Sequence, residues 1–292
     1  MATTMSQLAD ILALARKTNK KIAQPVRLAT LLYEGIDAAL MEVDPGALLP
    51  CQLEREQAAH DIATWQERDI KIVSVLDHDY PQYLAQIRDA PLLIYYEGRI
   101  EPVDRAVAIV GSRQATREEC ERARLIAQMM VEQGYSVASG LARGVDTAAH
   151  EGTLEADGRT IAVMGTGIDI TYPPENIQLR SRIVESGGLV LTQFEPGAAP
   201  TKVSFPMRNA TMSGYSQATI VVAAGEYSGT RNHVRSALAH GRSVILLAPV
   251  VRETQWARKL VGNPGVYIAS TMKEIRQAMA NIERAYNLFI LT

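Results

Sequence analysis

The chain has 292 residues, 47% of them hydrophobic, enough for one large core and a smaller domain at roughly 150 residues per domain. Its 30 Lys and Arg nearly balance 32 Asp and Glu, which excludes a surface coated in basic charge, so any nucleic-acid site must be a local patch. No signal peptide opens the chain, no apolar run approaches the roughly 20 residues of a spanning helix, and Cys51 and Cys120 form no metal-ligand pattern; a cytoplasmic protein without metal, cofactor or membrane is predicted.

Leu8, Ile11, Leu12 and Ala15 share one helical face, with Ser6 as the expected cap. Further helices are predicted over residues 24–32 and 53–68, with Asp44-Pro45-Gly46 as a turn between them. Residues 71–75 and 91–96 read as short strands. Residues 1–69 are thus a small helical N-terminal domain, and residues 70–292 a larger second domain. From Ala106 the pattern becomes regular. Apolar blocks at 107–110, 135–138, 160–164, 189–191, 220–223 and 244–247 alternate with stretches of crossover-helix length. Uniformly apolar strands are covered on both faces, and their alternation with helices predicts an α/β fold with a doubly wound, mainly parallel sheet. In the helix at 116–133, Thr116 and Glu119 have capping-box spacing, Ala123, Ile126, Ala127 and Met130 share a face, and Gly134 ends it. Thr271 and Glu274 open a last helix that runs to about Ala285, ahead of the apolar tail Leu288-Phe289-Ile290-Leu291.

Ligands of such sheets bind beyond the carboxyl ends of the strands, at helix N-termini. The turns holding Gly111 and Ser112, Gly140, Gly165 and Gly167, and Ser228, Gly229 and Thr230 fall at such positions. Their glycines permit close backbone approach, and Arg113, Arg143 and Arg231 are available to phosphate oxygens. One such turn is common for steric reasons alone. Several on one sheet edge, three of them carrying arginine, point to an anionic ligand. The P-loop and dinucleotide fingerprints are absent, and neither His233 nor His240 has a companion at metal spacing. Asp146, at a helix start, and His150 read as structural residues.

Five segments in order resemble the DprA/Smf family of DNA-processing proteins over about residues 70–249. They are Val107-Ala108-Ile109-Val110-Gly111-Ser112-Arg113; Ser139-Gly140-Leu141-Ala142-Arg143-Gly144-Val145-Asp146 with Ala148-Ala149-His150; Gly167-Ile168-Asp169; Tyr172-Pro173-Pro174-Glu175-Asn176; and Phe205-Pro206-Met207-Arg208-Asn209. Asp79-Tyr80-Pro81 with Pro91 resembles the approach to this domain. The resemblance implies a Rossmann-like, homodimeric protein with no catalytic role. Such a protein binds single-stranded DNA, protects it and loads a RecA-type recombinase, in transformation, recombination or defence. Carried over by motif, Arg113, Lys202 and Phe205 contact DNA, with Arg143, Arg208 and Arg231 in support; cations pair with phosphates and the phenyl ring stacks on a base. Two departures stand out. Ala210 occupies a position where the family usually has another arginine, and no segment of this sequence is expected to form the C-terminal winged helix of many members. The alternative within the same Rossmann-like group is a nucleotide-binding sensor or a nucleoside-monophosphate phosphoribohydrolase. His233 stands near where the glutamate of those hydrolases falls, which argues against hydrolysis.

Overall fold

The computed structural model describes residues 3–17, 22–43 and 52–290. The chain opens with helices α1 (Met5–Arg16), α2 (Gln24–Tyr33), α3 (Ile36–Val43) and α4 (Gln52–Glu67). The cap of α1 is Thr4 rather than Ser6. Its hydroxyl accepts the Gln7 N–H, and the Gln7 side chain accepts the Thr4 N–H, so a capping box forms two residues earlier than expected. Helix α3 was not expected; it buries only Ala39, Leu40 and Val43, too few positions for a periodic signal. The expected Asp44-Pro45-Gly46 turn lies outside the described residues.

Nine strands among the described residues form one sheet: β1 (Lys71–Ser74), β2 (Leu93–Gly98), β3 (Ala106–Val110), β4 (Ser136–Ser139), β5 (Thr160–Val163), β6 (Leu189–Thr192), β7 (Ala218–Val221), β8 (Ser243–Leu247) and β9 (Val266–Ala269). Their order is β1-β2-β6-β5-β4-β3-β7-β8-β9. Every pair from β6 across to β9 is parallel, while β1 and β2 add an antiparallel edge. β3, β5, β6 and β7 are buried along their whole length, as their mainly apolar sequences require, and the buried Thr160, Thr192 and Thr219 hydroxyls find internal hydrogen-bond partners. β9 lacks that signature because Val266, Tyr267 and Ile268 stay partly exposed at the sheet edge.

The short α5 (Gln82–Ala85) precedes β2. Crossovers are made by α6 (Arg117–Glu132), α7 (Val145–Glu155), α8 (Ile177–Glu185), α9 (Ser204–Tyr215) and α10 (Gly229–Ala239); the short α11 (Ala248–Glu253) and α12 (Gln255–Arg258) lie between β8 and β9. The final helix α13 (Met272–Ile290) opens on the expected Thr271/Glu274 capping box and continues past Ala285. From β3 the chain winds outward through β4, β5 and β6, then returns through α9 to β7 and winds the other way. The reversal falls between β3 and β7, where a doubly wound sheet opens a crevice.

Apolar layers cover both sheet faces. On one, Ile11, Leu12 and Leu14 of α1 and Ile62 of α4 share a cluster with Ile94 and Tyr95 of β2 and Leu191 of β6. On the other, Ile126 and Met130 of α6 pack with Ile109, Val137, Ile220 and Ile275. The N-terminal helices therefore bury their apolar stripe against the sheet. Arg16 adds a polar tie, reaching Asp61 and Glu195 at 2.7 Å each. The buried Tyr80 hydroxyl donates to the Pro91 carbonyl at 2.8 Å, joining the two motif segments ahead of β2. No helix among the described residues is long and apolar enough to cross a membrane.

Candidate functional site

A cleft of about 750 Å³ opens at the reversal between β3 and β7. Its walls are the turn after β3 (residues 111–114), the first turn of α9, and the turn after β7 (residues 225–230). A smaller lobe of about 260 Å³ continues it past β4 and β5, reaching Gly140, Arg143, Gly165 and Tyr172. Both lobes share Arg113, Gln114, Ala142 and Phe205, which form the saddle between them, with Arg208 reaching both from below.

Arg113 is exposed, with its guanidinium 4.7 Å from the centroid of the Phe205 ring. The Tyr172 ring lies 5.7 Å from the same ring, tilted by 48°. Gly165 packs directly against Phe205, where a Cβ would come within 2.9 Å of its Cδ1. Phe205 is thus half-buried, flanked by a cation, a tyrosine and a glycine backbone. Lys202 is exposed on the turn ahead of α9 and lines the larger lobe.

Arg208, one turn along α9 from Phe205, is placed differently. It is buried beneath the saddle, its Nη1 3.8 Å from Asp146 Oδ2. Asp146 sits in the first turn of α7 and also accepts the Ala142 N–H at 3.4 Å. Burial pushes the Asp146 carboxyl up and the Arg208 guanidinium down; their mutual attraction opposes both shifts. Arg208 Nε has no hydrogen-bond partner among the described residues. A Cβ at Gly140 would fall on this guanidinium, which is the local reason for glycine there.

The other expected residues divide. Arg143 stands at the rim of the small lobe, paired with Glu175. Arg231 is exposed on α10, beside the lining rather than part of it. Gly111 and Ser112 line the large lobe, and Thr230 Oγ1 reaches the Gly111 carbonyl at 3.3 Å, tying the β3 and β7 turns together. Ser228 caps α10 by accepting the Thr230 N–H at 3.1 Å, and Gly229 follows it at the same wall. Gly167 faces elsewhere, donating its N–H to the Ala198 carbonyl at 2.8 Å. Ala210 lines a separate groove of about 550 Å³ on the side of α9 near the N-terminal helices, so the missing family arginine is missing from there and not from this cleft.

Sequence reasoning passed over Tyr227, which projects from the turn after β7 with 97% of its surface exposed. The turn itself is anchored: Glu226 accepts the Gln255 N–H at 2.6 Å, and Trp256 Nε1 donates to the Gly225 carbonyl at 3.2 Å. His233 lines the cleft floor but is buried; its Nε2 lies 3.0 Å from Thr219 Oγ1, and burial pulls its pKa to about 3, leaving it neutral at ordinary pH. Among the described residues, no group of three or more His, Cys, Asp or Glu is placed to hold a metal ion.

Residues 71–280 match the family model described as DNA recombination-mediator protein A. The chain is 36% identical over 212 residues to Protein Smf of Synechocystis sp., a match covering 70% of this chain and 53% of that protein. It thus spans about half the length of that curated relative. The solved structure of DNA processing protein A from Streptococcus pneumoniae superposes with a TM-score of 0.74 at 27% identity, covering 95% of this chain and 98% of that one. A second, DNA processing protein A from Helicobacter pylori, described for its single-stranded DNA binding mode, superposes with a TM-score of 0.63 at 23% identity over 72% of this chain and 96% of that one.

Proposed function

This chain belongs to the DNA recombination-mediator protein A (DprA/Smf) family, and from that membership we propose that its cleft holds single-stranded DNA and that the protein delivers the shielded strand to a RecA-type recombinase. The observation that carries the reading is the meeting of Arg113, Lys202 and Phe205 on one cleft at the sheet's switch point, although the chain brings them from two separate junctions. Arg113 and Lys202 take phosphates, which supplies most of the affinity and makes it salt-dependent. The Phe205 ring, under Arg113 in the free protein, takes a base once the arginine moves to a phosphate. That exchange favours the strand: an exposed cation–π contact contributes about 0.5–1 kcal/mol, a stacked base about 1–3 kcal/mol. Arg208 stays beneath the saddle, facing Asp146. None of these groups reads base edges, so sequence preference is slight. The family resemblance supports a homodimer as the working form.

Fluorescence anisotropy with labelled oligo(dT) and with duplex DNA tests the reading. Wild type binds oligo(dT) in preference to duplex, and affinity falls as salt rises. Arg113→Ala and Lys202→Ala each weaken binding to all sequences alike and make the slope of log affinity against log salt shallower by about 0.7. A loss confined to one sequence, or binding insensitive to salt, overturns it.

A further inference from the structure

We infer that Tyr227 is a second base-stacking platform, carrying the single-stranded DNA path from the Arg113–Phe205 saddle across the larger lobe; this rests on the DNA reading above. Tyr227 is the most exposed large hydrophobic side chain among the described residues, at 97%. No ring contact or hydrogen bond engages its side chain there. Its backbone, by contrast, is fixed on both sides, by Trp256 on Gly225, by Gln255 on Glu226, and by the capping Ser228. An anchored turn therefore holds a bare ring at the lip of the cleft. Fold stability has no use for that ring, because it buries nothing.

The chemistry around it selects the ligand. A flat, uncharged ring lining the same cleft as cationic Lys202 and Arg113 matches a molecule that alternates π-faces with phosphates, which is an unpaired nucleic-acid strand. Duplex DNA keeps its base faces stacked and has none to offer. Its neighbours along the chain, Gly225, Glu226, Ser228 and Gly229, are small or acidic, so the turn itself lacks the contiguous apolar area that a protein interface needs. Phe205 is already flanked by Arg113, Tyr172 and Gly165, whereas the Tyr227 ring stands open on the larger lobe.

The test compares wild type, Tyr227→Ala and Tyr227→Phe against oligo(dT) of increasing length and against duplex. Tyr227→Ala lowers affinity for long oligo(dT) by about 5- to 150-fold, the equivalent of one stacked base. Tyr227→Phe keeps it, since the ring and not the hydroxyl does the stacking. The shortest oligomers, which fill only the saddle, bind all three proteins alike, and so does duplex. Thermal unfolding is unchanged, because the side chain is exposed. If Tyr227→Ala binds every oligomer like wild type while Arg113→Ala and Lys202→Ala are weakened, this inference falls and the DNA reading stands, leaving the ring to a protein partner. An equal loss on duplex, or failure of phenylalanine to substitute, also overturns stacking. Absence of any oligo(dT) binding by wild type overturns both readings.

Discussion

Arg208 and Asp146 face each other under the cleft at 3.8 Å, beyond hydrogen-bond reach, and burial acts against the charge on each. In such a pair desolvation offsets most of the Coulombic gain, yet deleting one member strands the other. Arg208→Ala is expected to lower unfolding free energy by about 3–5 kcal/mol, whereas Arg208→Met combined with Asp146→Leu recovers most of the loss. Urea melts of the three proteins decide it; a harmless single substitution would mean the pair does not behave as a matched one. His150 and His233 set a second expectation. Both are buried, and burial holds the pKa of each at about 3. Protons therefore bind the unfolded chain first, so the contribution to stability is complete above about pH 6.5 and is lost as pH falls toward 3, at about 1.4 kcal/mol per pH unit for each histidine. Unfolding free energy should drop by about 2–3 kcal/mol between pH 7 and about pH 5.5, a drop that vanishes if the histidines remain protonatable in the fold. The Asp146 carboxyl, raised by burial, acts in the opposite direction, since the folded state takes up its proton before the unfolded chain does. At this scale motifs placed Arg113, Lys202 and Phe205 where the structure brings them together. They did not show that Arg208 is buried, because its partner lies on another helix. Nor did they mark Tyr227, since a lone ring in a glycine turn has neither period nor charge pattern.

Elements were legible wherever their ends carried chemistry. The Thr116/Glu119 and Thr271/Glu274 boxes fix the starts of α6 and α13 as expected. Thr116→Ala should cost about 1 kcal/mol by removing the hydroxyl that accepts the Glu119 N–H, visible as a lower urea midpoint with oligo(dT) affinity unchanged. An equal fall in affinity would mean that α6 transmits its position to Arg113. The illegible elements share one property, partial exposure. α3 and β9 bury too few side chains to impose a hydrophobic period, and α1 is capped by Thr4 instead of the expected Ser6 because the Gln7 side chain completes a capping box there.

For the whole molecule, alternating strands and helices predicted the doubly wound sheet, because strands covered on both faces must be apolar throughout. How the N-terminal helices sit was not readable from the chain. Their packing on β2 and the Arg16 ties to Asp61 and Glu195 depend on contacts between distant segments, as does the Arg68–Asp169 pair at 2.9 Å. Near-neutral net charge also belongs to this scale. Without a global positive field, the attraction of a strand proposed above is local to the cleft and should be screened within roughly 10 Å at 0.1 M salt.

The winding of the sheet sets an order in time as well as in space. The cleft takes one wall from the turn after β3, another from α9 and the last from the turn after β7, and β3 pairs directly with β7. During synthesis Arg113 leaves the ribosome well before Lys202, and Lys202 before Tyr227. Until the returning crossover is complete, β3 can pair with only one of its two sheet neighbours, β4. On the DNA reading proposed above, competence to grip a strand waits for β7 to pair with β3, and a nascent chain stalled before β7 carries the Arg113 turn without the wall that β7 brings.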